Sequence, residues 1–501
     1  MARPNIVLIM TDQQRADLSR HYGYPADTMP FVNSLGDGGV WFDKAYTTTP
    51  QCAPARVSML TGRYPSATRV RTNHNIPDAT YGDDLIDVLK ANGYLTGLTG
   101  KNHSHLKRGD LDYWYDAAHQ WSEDDDAPEY QDFGKLMRSM HMHAHLEPNP
   151  HPVECQYPYR VVSKAQEWID SIDGPFFLWM SFSEPHNPYQ VPKPYFDMFP
   201  PEDLPPTLTD ETHLPLKGFK YEWCRESFIK AFPNFVAEIP RYRSNYLGLL
   251  RLIDDQVKRF TEYLDAHGLR EDTIIIYLSD HGDFVGEYGL MRKGPELPEA
   301  LTRIPLVVNG PCIAEHDGPH TAHVSLADIM PTICEAIGAD IPSGAQGRSL
   351  WPMLTGQSYP EDEFQSVYAE QGMGGLYYGW NEELDPRDDG LQESSDSQKW
   401  GGYDCLNSWT QSGQMRMVRK GDWKLVYDMM GNGQLHNLVD DPSEIRNLFG
   451  THDHSEKENE LLKELLAWTL RTQDSLPKPR HRYVLKEDPR NYWTPYSDAN
   501  Q

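Results

Sequence analysis

Two continuous apolar runs constrain the fold of this chain more than any other feature. Residues 5–10 read NIVLIM and residues 273–279 read TIIIYLS, without the alternation of polar and apolar side chains that a half-exposed strand shows. Runs of this kind are typical of strands buried on both faces in a parallel sheet. A third run lies at 175–182, and helix-like segments separate the three. The sequence therefore predicts an α/β fold in which helices sandwich a large, mainly parallel sheet.

The character of the sequence changes after about residue 360. The alternation of strands and helices, which includes a long helical pattern at 241–267, gives way to a polar, acidic stretch at 381–402. A hairpin pattern follows at 415–428, and a helical pattern at 455–472. We therefore expect a large domain over 1–362, a smaller C-terminal α+β subdomain over 363–475, and a tail over 476–501.

The charge balance of the chain excludes two kinds of partner. The 501 residues include 46 Lys and Arg against 74 Asp and Glu, which gives a formal net charge of −28. Nucleic-acid-binding proteins carry a basic surface, and anionic membranes attract basic segments, so we expect neither partner. An anionic substrate of this chain needs a local positive pocket.

No segment predicts export or membrane insertion. The apolar runs are far shorter than the ~20 residues of a membrane helix, and the first ten residues lack the pattern of a signal peptide. These features predict a cytoplasmic protein. The six cysteines lie far apart in sequence, which predicts mostly free thiols.

Polar side chains follow the first two apolar runs. Asp12 and Gln13 come after the run at 5–10, and Asp280 and His281 come after the run at 273–279. Ligands of open α/β sheets bind beyond the carboxyl ends of the strands, and oxygen-rich sites favour Ca²⁺ or Mg²⁺. These residues predict a divalent-cation site. The alternative is that the two aspartates only cap helices or form loops.

Cys52 stands at the start of a predicted helix. Pro54 suits the first turn of a helix, and Arg56 lies one turn after Cys52, where its side chain can face the same point. The positive end of a helix stabilises a thiolate or a bound anion, which predicts a nucleophile at residue 52. The alternative is a buried structural cysteine.

The segment Cys52-x-Pro54-x-Arg56, followed by Leu60-Thr61-Gly62-Arg63, resembles the signature of the type I, formylglycine-dependent sulfatases of the alkaline phosphatase-like superfamily. Other segments resemble the family's pattern in the family's order: GKNH at 100–103, PHNPY at 185–189, SDHG at 279–282, GEYG at 286–289 with Lys293, LADIMPT at 326–332, GRSL at 347–350 and WKL at 423–425.

This resemblance implies a cofactor and a set of site residues. It implies that a formylglycine-generating or sulfatase-maturating enzyme oxidises Cys52 to formylglycine (3-oxoalanine), which acts beside Ca²⁺, or beside Mg²⁺ or Mn²⁺. The implied metal ligands are Asp12, Gln13, residue 52, Asp280 and His281. The implied catalytic residues are Cys52, Arg56, Lys101, His103, His186 and Lys293.

The resemblance also implies a role for each of these catalytic groups. One hydroxyl of hydrated formylglycine would attack the sulfur of a sulfate ester, and Arg56 would hold this diol in place. Lys101, Lys293 and His186 would bind the sulfate group. His186 or a nearby imidazole would protonate the departing alcohol, and His103 would act as the base that helps to expel sulfate.

Three positions depart from the common pattern of the family. Gln13 replaces a second Asp, which predicts weaker cation binding, and His281 replaces Asn. His105 stands in an unusual segment, NHSH, and we predict that it binds substrate together with Lys101, His186 and Lys293. We expect Asp283 and Glu287 to be loop residues or to support the metal ligands.

The predicted function is hydrolysis of a sulfuric ester in a small or terminal sulfated substrate, most naturally a saccharide. Aromatic residues in the loops 106–158 and 372–414 suit stacking on a sugar ring: Trp114, Tyr115, Tyr377, Tyr378 and Trp380. The alternation of His141, His143 and His145 favours a solvent-facing segment near the pocket over a metal clip.

Three other functions remain open at this stage. Phosphonate monoester and phosphodiester hydrolases share the family's fold, its oxidised cysteine and an Asp-Gln first block. A cysteine hydrolase would use Cys52 as a free thiol with an imidazole base. A protein that only binds a sulfated ligand would need none of the catalytic set.

Overall fold

A computed structural model describes residues 3–117, 127–140, 143–374, 377, 413–474 and 490–493 of the chain. Its strands are β1 (Asn5–Asp12), β2 (Val40–Trp41), β3 (Ala45–Tyr46), β4 (Leu95–Gly100), β5 (Tyr113–Tyr115), β6 (Phe176–Pro185), β7 (Thr273–Ser279), β8 (Leu306–Asn309), β9 (Val324–Ser325), β10 (Ser366–Gln371), β11 (Met415–Lys420), β12 (Trp423–Asp428) and β13 (Gly433–Asn437).

The α-helices of the same residues are α1 (Pro30–Asp37), α2 (Cys52–Thr61), α3 (Pro65–Thr68), α4 (Leu85–Ala91), α5 (Pro128–Ser139), α6 (Tyr157–Ile169), α7 (Tyr195–Met198), α8 (Leu214–Lys217), α9 (Phe219–Ala231), α10 (Phe235–Ala266), α11 (Glu299–Thr302), α12 (Ile329–Ala336), α13 (Trp351–Leu354) and α14 (Ser455–Thr472).

The large sheet has seven strands in the order β2-β8-β7-β1-β6-β4-β5. The strand β1 pairs in parallel with both β6 and β7, and β4 pairs in parallel with β5 and β6. Among these seven strands only β8 is reversed, so that its pairs with β7 and with β2 are antiparallel. This arrangement confirms the predicted fold class.

The side chains of β1 alternate between two hydrophobic cores. Val7 and Ile9 pack on one face with residues of α6 and α10. Ile6, Leu8 and Met10 pack on the other face with residues of α2, α4 and α12. Because helices cover both faces, every residue of β1 is buried, and the sequence run has no polar alternation.

The C-terminal part forms a four-stranded antiparallel sheet in the order β10-β11-β12-β13. The predicted hairpin is confirmed, with Lys420 paired to Trp423, and α14 spans the predicted helix. Trp468 of α14 is buried against Tyr368 of β10. The predicted boundary at residue 362 stays a prediction, and the first strand of this sheet begins at Ser366.

Several elements differ from the sequence expectations. The long helix α10 begins at Phe235 rather than at 241, since Pro240 lies inside it and not at its start. The Pro-rich stretch 185–215, which the sequence predicts as a loop, contains the short helix α7, and the helix α9 has no counterpart among the predicted elements. The stretch 381–402 and most of the tail lie outside the described residues.

Two further expectations concern cysteines and membranes. Four buried cysteines, at 52, 155, 224 and 334, are free thiols, and Cys405 lies outside the described residues. No helix in the described ranges is long and apolar enough to cross a membrane.

Asp254 of α10 connects the longest helix to α1. Its carboxylate accepts hydrogen bonds from the backbone N–H groups of Phe31 and Val32, at 3.0 and 2.8 Å. The N-cap residue of α1, Met29, offers no side-chain acceptor. Asp254 therefore satisfies backbone donors at the start of α1 that no residue of α1 itself reaches.

We predict that D254A lowers the free energy of unfolding by about 1–3 kcal/mol, because it leaves these donors without a partner. Urea denaturation followed by circular dichroism measures the change. The control is D265A, on the exposed surface of the same helix. Equal stability of D254A and D265A would contradict the prediction.

Candidate active site

The carboxyl ends of β1 and β7 lie side by side in the sheet. Thr11 pairs with Ser279, and the N–H of Asp280 donates to the carbonyl of Thr11 at 3.2 Å. The Asp280 carboxylate in turn accepts the backbone N–H groups of Gln13 and His281, at 3.0 and 2.9 Å. The two segments that the sequence predicts as metal-binding are therefore joined by hydrogen bonds at one edge of the sheet.

Residue 52 is the first residue of α2, as the sequence predicts. Its Sγ lies 3.2 Å from Nε2 of His281, 3.4 Å from Nζ of Lys293 and 3.5 Å from Oδ1 of Asp12. The next residue, Ala53, donates its N–H to Oδ1 of Asn73. The side chain at position 52 thus contacts two of the predicted metal ligands, Asp12 and His281, and the ammonium of Lys293, at the positive end of a helix.

Arg56 connects both aspartates to the neighbouring strands. Its Nε donates to Asp280 at 2.9 Å, and one terminal nitrogen lies 3.3 Å from Asp12. The other terminal nitrogen donates to the carbonyl of Lys101 and to Oγ of Ser181. Burial lowers the pKa of Arg56, but Asp280 and Asp12 together raise it above its usual value. The guanidinium is therefore held as a buried cation.

The buried donor atoms fit a divalent cation. One ligating atom from each of Asp12, Cys52, Asp280 and His281 lies within 4.8 Å of all the others. Nδ1 of His281 contacts the carbonyl of Gly282 at 2.8 Å, which leaves Nε2 facing Cys52. In the part of the chain that the structure describes, Oε1 of Gln13 is buried and has no hydrogen-bond partner. An amide oxygen left without a partner suits a ligand of a cation.

The donor set also bears on position 52. Carboxylate and amide oxygens favour hard cations such as Ca²⁺ or Mg²⁺, whereas a thiolate favours softer ions such as Zn²⁺. The sulfur of Cys52 stands at the place where the resemblance expects an oxygen of formylglycine. Oxidation of Cys52 would therefore make the donor set hard except for the imidazole nitrogen.

Lys101 lies directly after β4, beside the metal-binding block. Gly100 adopts a φ of 99°, and a Cβ at this residue would lie 1.9 Å from the carbonyl oxygen of Ser181. This close approach brings β4 and β6 together, and the N–H of Lys101 donates to the same carbonyl. The ammonium group of Lys101 contacts Oδ2 of Asp12. His103 follows two residues later, with a φ of 45°.

Lys293 and His186 lie against each other. Nζ of Lys293 is 3.4 Å from Nε2 of His186, and Nδ1 of His186 is 2.6 Å from the carbonyl of Asn187. Because that carbonyl accepts the Nδ1 proton, Nε2 of His186 faces Lys293. Five of the six predicted catalytic residues are thus joined by contacts: Cys52, Arg56, Lys101, His186 and Lys293. His103 lies on the segment that begins with Lys101.

The structure does not bring His105 into this cluster. Its Nε2 lies 2.8 Å from Oδ2 of Asp84, and its ring lies 4.4 Å from the ring of Tyr81. Asp84 also caps the N-terminus of α4. Substrate binding by His105 stays a prediction, and it would compete with this contact.

Glu184 is a buried residue that sequence reasoning did not identify. It lies near the carboxyl end of β6, two residues before His186, and its Oε2 has no hydrogen-bond partner in the described ranges. Burial raises the pKa of Glu184 to about 7, and the nearby Asp12 acts in the same direction. No motif or spacing in the sequence points to this acid.

The histidine alternation forms no metal site among the described residues. His143 contacts the hydroxyl of Tyr242 at 2.6 Å, and its ring stacks on Phe232 at 3.6 Å. Burial lowers the pKa of His143 to about 3. The N–H of Tyr189 donates to the carbonyl of His143, so this segment lies beside the loop of His186. His141 lies outside the described residues.

The three predicted aromatic residues that the structure describes belong to two different parts of the fold. Trp114 and Tyr115 belong to β5, at the edge of the large sheet. The hydroxyl of Tyr377 lies 3.2 Å from Asp428 of the C-terminal sheet. Tyr378 and Trp380 lie outside the described residues. Sugar stacking by these residues stays a prediction.

Comparison with known proteins identifies the family. The sequence profile named Sulfatase matches residues 4–339, which is more than half of the chain. The chain belongs to the sulfatase family. The resemblance of the sequence motifs to those of the sulfatases is thereby confirmed. This sulfatase is an enzyme that hydrolyses sulfuric esters. Members of the family generally use formylglycine and a divalent metal.

Relatives of this sulfatase cover nearly its whole length. The uncharacterized sulfatase YidJ of Escherichia coli (strain K12) is 25% identical over 523 residues, which cover 99% of this chain and 95% of YidJ. The crystal structure of the phosphonate monoester hydrolase of Agrobacterium radiobacter has a TM-score of 0.74 at 22% identity, over 94% of this chain and 96% of that chain.

A second solved structure shares the fold. The structure of BT4656 in complex with its substrate D-glucosamine-2-N,6-O-disulfate has a TM-score of 0.70 at 19% identity, and it covers 96% of this chain and 100% of that chain. At this level of identity the two solved structures establish the fold of the sulfatase alone.

We predict that R56K lowers the free energy of unfolding by about 3 kcal/mol. A lysine keeps the positive charge but cannot bond both aspartates, the Lys101 carbonyl and Ser181 at once, so buried charges lose partners. Urea denaturation measures the change, with R446K on the exposed surface as the control. Wild-type stability of R56K would show that these contacts of Arg56 are dispensable.

Proposed function

We propose that this sulfatase removes sulfate from a small or terminal sulfated saccharide, through a formylglycine made from Cys52 and a divalent cation. The cation would be Ca²⁺, with Mg²⁺ or Mn²⁺ as alternatives. A formylglycine-generating or sulfatase-maturating enzyme would be the partner during maturation. The cytoplasmic location stays a prediction from the sequence.

One observation carries the proposal. The side chain at position 52 lies within 3.5 Å of a metal-ligand oxygen of Asp12, of Nε2 of His281 and of the ammonium of Lys293. A group placed there meets both a cation site and a positive side chain. Such a place favours a nucleophile that attacks an anionic ester.

The side chains around position 52 would have different roles in the reaction. When present, hydrated formylglycine would supply two hydroxyl groups, one as the nucleophile and one for the release of sulfate, and a cation held by the aspartates, Gln13 and His281 would lower the pKa of the nucleophilic hydroxyl. Lys101 and Lys293 would bind sulfuryl oxygens and offset the negative charge that grows in the transition state.

The leaving group and the second step need proton carriers. His186 would donate the proton that the departing alcohol requires from Nε2 of its doubly protonated ring, because Nδ1 is bound to the carbonyl of Asn187 and Nε2 lies 3.4 Å from Nζ of Lys293. His103 would remove a proton in the step that expels sulfate. Arg56 would hold Asp12 and Asp280 in place throughout, because it bonds both carboxylates.

The charge of the chain favours a small or terminal substrate. A net charge of −28 repels a long polyanion over most of the surface, whereas the lysines at the site attract a single sulfate group. BT4656 was solved with a sulfated glucosamine, and a 22% identical relative in Bacteroides thetaiotaomicron is named N-acetylglucosamine-6-O-sulfatase. These names support a saccharide as the substrate class.

The second candidate function is hydrolysis of phosphonate monoesters or phosphodiesters. Gln13 favours it, because the Asp-Gln block also occurs in those hydrolases, and the fold of the Agrobacterium radiobacter enzyme is shared. Lys101 and His103 favour sulfate, because they match the sulfatase pattern at their positions.

We predict that C52A abolishes turnover of sulfate esters, because alanine supplies neither a nucleophile nor a second hydroxyl. The measurement is sulfate release, paired with peptide mass spectrometry of residue 52 in the wild-type protein. The control is C334A, which removes another buried thiol. Full activity from protein with an unmodified thiol at position 52 would refute the formylglycine route and favour a cysteine hydrolase.

We predict a preference for sulfate over phosphorus and for short over long substrates. One assay compares a sulfate monoester and a phosphodiester of the same phenol by kcat/KM. A second assay compares sulfated mono- and disaccharides with sulfated polysaccharides by sulfate release. Faster phosphodiester hydrolysis would favour the second candidate, and activity on long chains alone would refute the terminal or small substrate.

A further inference from the structure

A single buried carboxylate, Asp283, joins three parts of the active site. Its Oδ2 accepts from Nε2 of Gln13 at 2.6 Å and from the hydroxyl of Tyr189 at 2.7 Å. Its Oδ1 accepts from the backbone N–H groups of Val285 and Arg292, both at 2.8 Å. Tyr189 belongs to the loop of His186, and Arg292 precedes Lys293. The donors surround both oxygens, which suits an acceptor-only carboxylate.

The contact with Asp283 determines which way the amide of Gln13 faces. Because Nε2 is bound to Asp283, Oε1 must face the opposite side, and there it is buried without a partner among the described residues. The backbone of Gln13 is also held: its N–H donates to Asp280, its carbonyl accepts from Tyr246, and its φ is 69°. The amide can therefore change its role only by turning over.

We propose that Asp283 is a positioning residue that keeps the amide oxygen of Gln13 directed at the cation. This inference rests on the cation of the proposed function. In this role Asp283 acts on the cation through Gln13, which its Oδ2 binds. Its Oδ1 accepts the backbone N–H groups of Val285 and Arg292 and so aligns the segment that carries Lys293. The family pattern alone predicts weaker cation binding from Gln13, and Asp283 compensates by holding this ligand in its binding orientation.

The variant D283N tests the direction of this contact. The backbone donors of Val285 and Arg292 require an acceptor, so the amide oxygen introduced by the substitution would face them and the new NH₂ group would face Gln13. Two NH₂ groups cannot hydrogen-bond each other. The amide of Gln13 would then turn over, and its nitrogen, which cannot bind a cation, would replace Oε1.

A paired exchange should restore binding. In Q13E alone, two acids stand at the 2.6 Å contact and repel each other. In Q13E/D283N, the NH₂ group of residue 283 can donate to one oxygen of residue 13, and the other oxygen of residue 13 can face the cation. The double variant keeps the total number of acids and exchanges only their positions.

The experiment titrates calcium into the full-length protein after treatment with EDTA and measures the dissociation constant by isothermal calorimetry. We expect D283N to weaken calcium binding by about 10- to 100-fold, as is usual when a residue supporting a ligand is changed. Q13E changes the proposed ligand itself, and we expect it to weaken calcium binding because its carboxylate is repelled by that of Asp283. We expect Q13E/D283N to recover most of that loss, and D283N to have no further effect in a Q13A background.

The matched control is E287Q, a buried acid of the same loop that bonds Thr209 rather than Gln13. It should leave calcium affinity unchanged even if stability falls. Calcium affinity of D283N equal to that of the wild type, additive losses in Q13E/D283N, or no calcium binding by the wild type would overturn the inference. Calcium binding is read without substrate, so the result does not depend on whether the protein hydrolyses a sulfate ester.

Discussion

The buried guanidinium of Arg56 is the interaction on which the rest of the site depends. Asp12 and Asp280 have no exposed surface, and two carboxylates cannot stay buried and charged without a cation between them. Arg56 provides that charge and also bonds the carbonyl of Lys101 and the hydroxyl of Ser181. One side chain of α2 therefore connects the ends of β1, β4 and β7 with the middle of β6, and α2 carries residue 52 at its first position.

The balance of charges at the site differs from that of the whole chain. Lys101 and Lys293 add two ammonium groups to the guanidinium, whereas the aspartates are committed to Arg56 and to the cation site. The ammonium of Lys293 lies 3.4 Å from the sulfur at position 52 and that of Lys101 contacts Asp12, although the chain carries a net charge of −28. An anionic ester is thus attracted to this point and repelled by the remaining surface, which links the electrostatics to a small substrate.

The sequence predicted those elements whose side-chain pattern reflects burial on both faces, and it missed those that depend on distant partners. The strands β1 and β7 and the pair β11–β12 follow from apolar runs and turn residues. The two-residue strand β2 has no such pattern, because its pairing with β8 alone defines it. His105 shows the same limit: its distance along the chain from Lys101 is short, but Asp84 of another segment takes its Nε2.

The pair formed by Gln13 and Asp283 explains why a count of charges position by position misjudges this site. Taken alone, Gln13 removes an acid from the cation, and Asp283 is one more acid in a loop. The two are 270 residues apart in sequence and 2.6 Å apart in space, where the amide needs an acceptor and the carboxylate needs a donor. Each residue satisfies a buried polar group of the other. The effect of a substitution at one position on cation binding therefore depends on the residue at the other position.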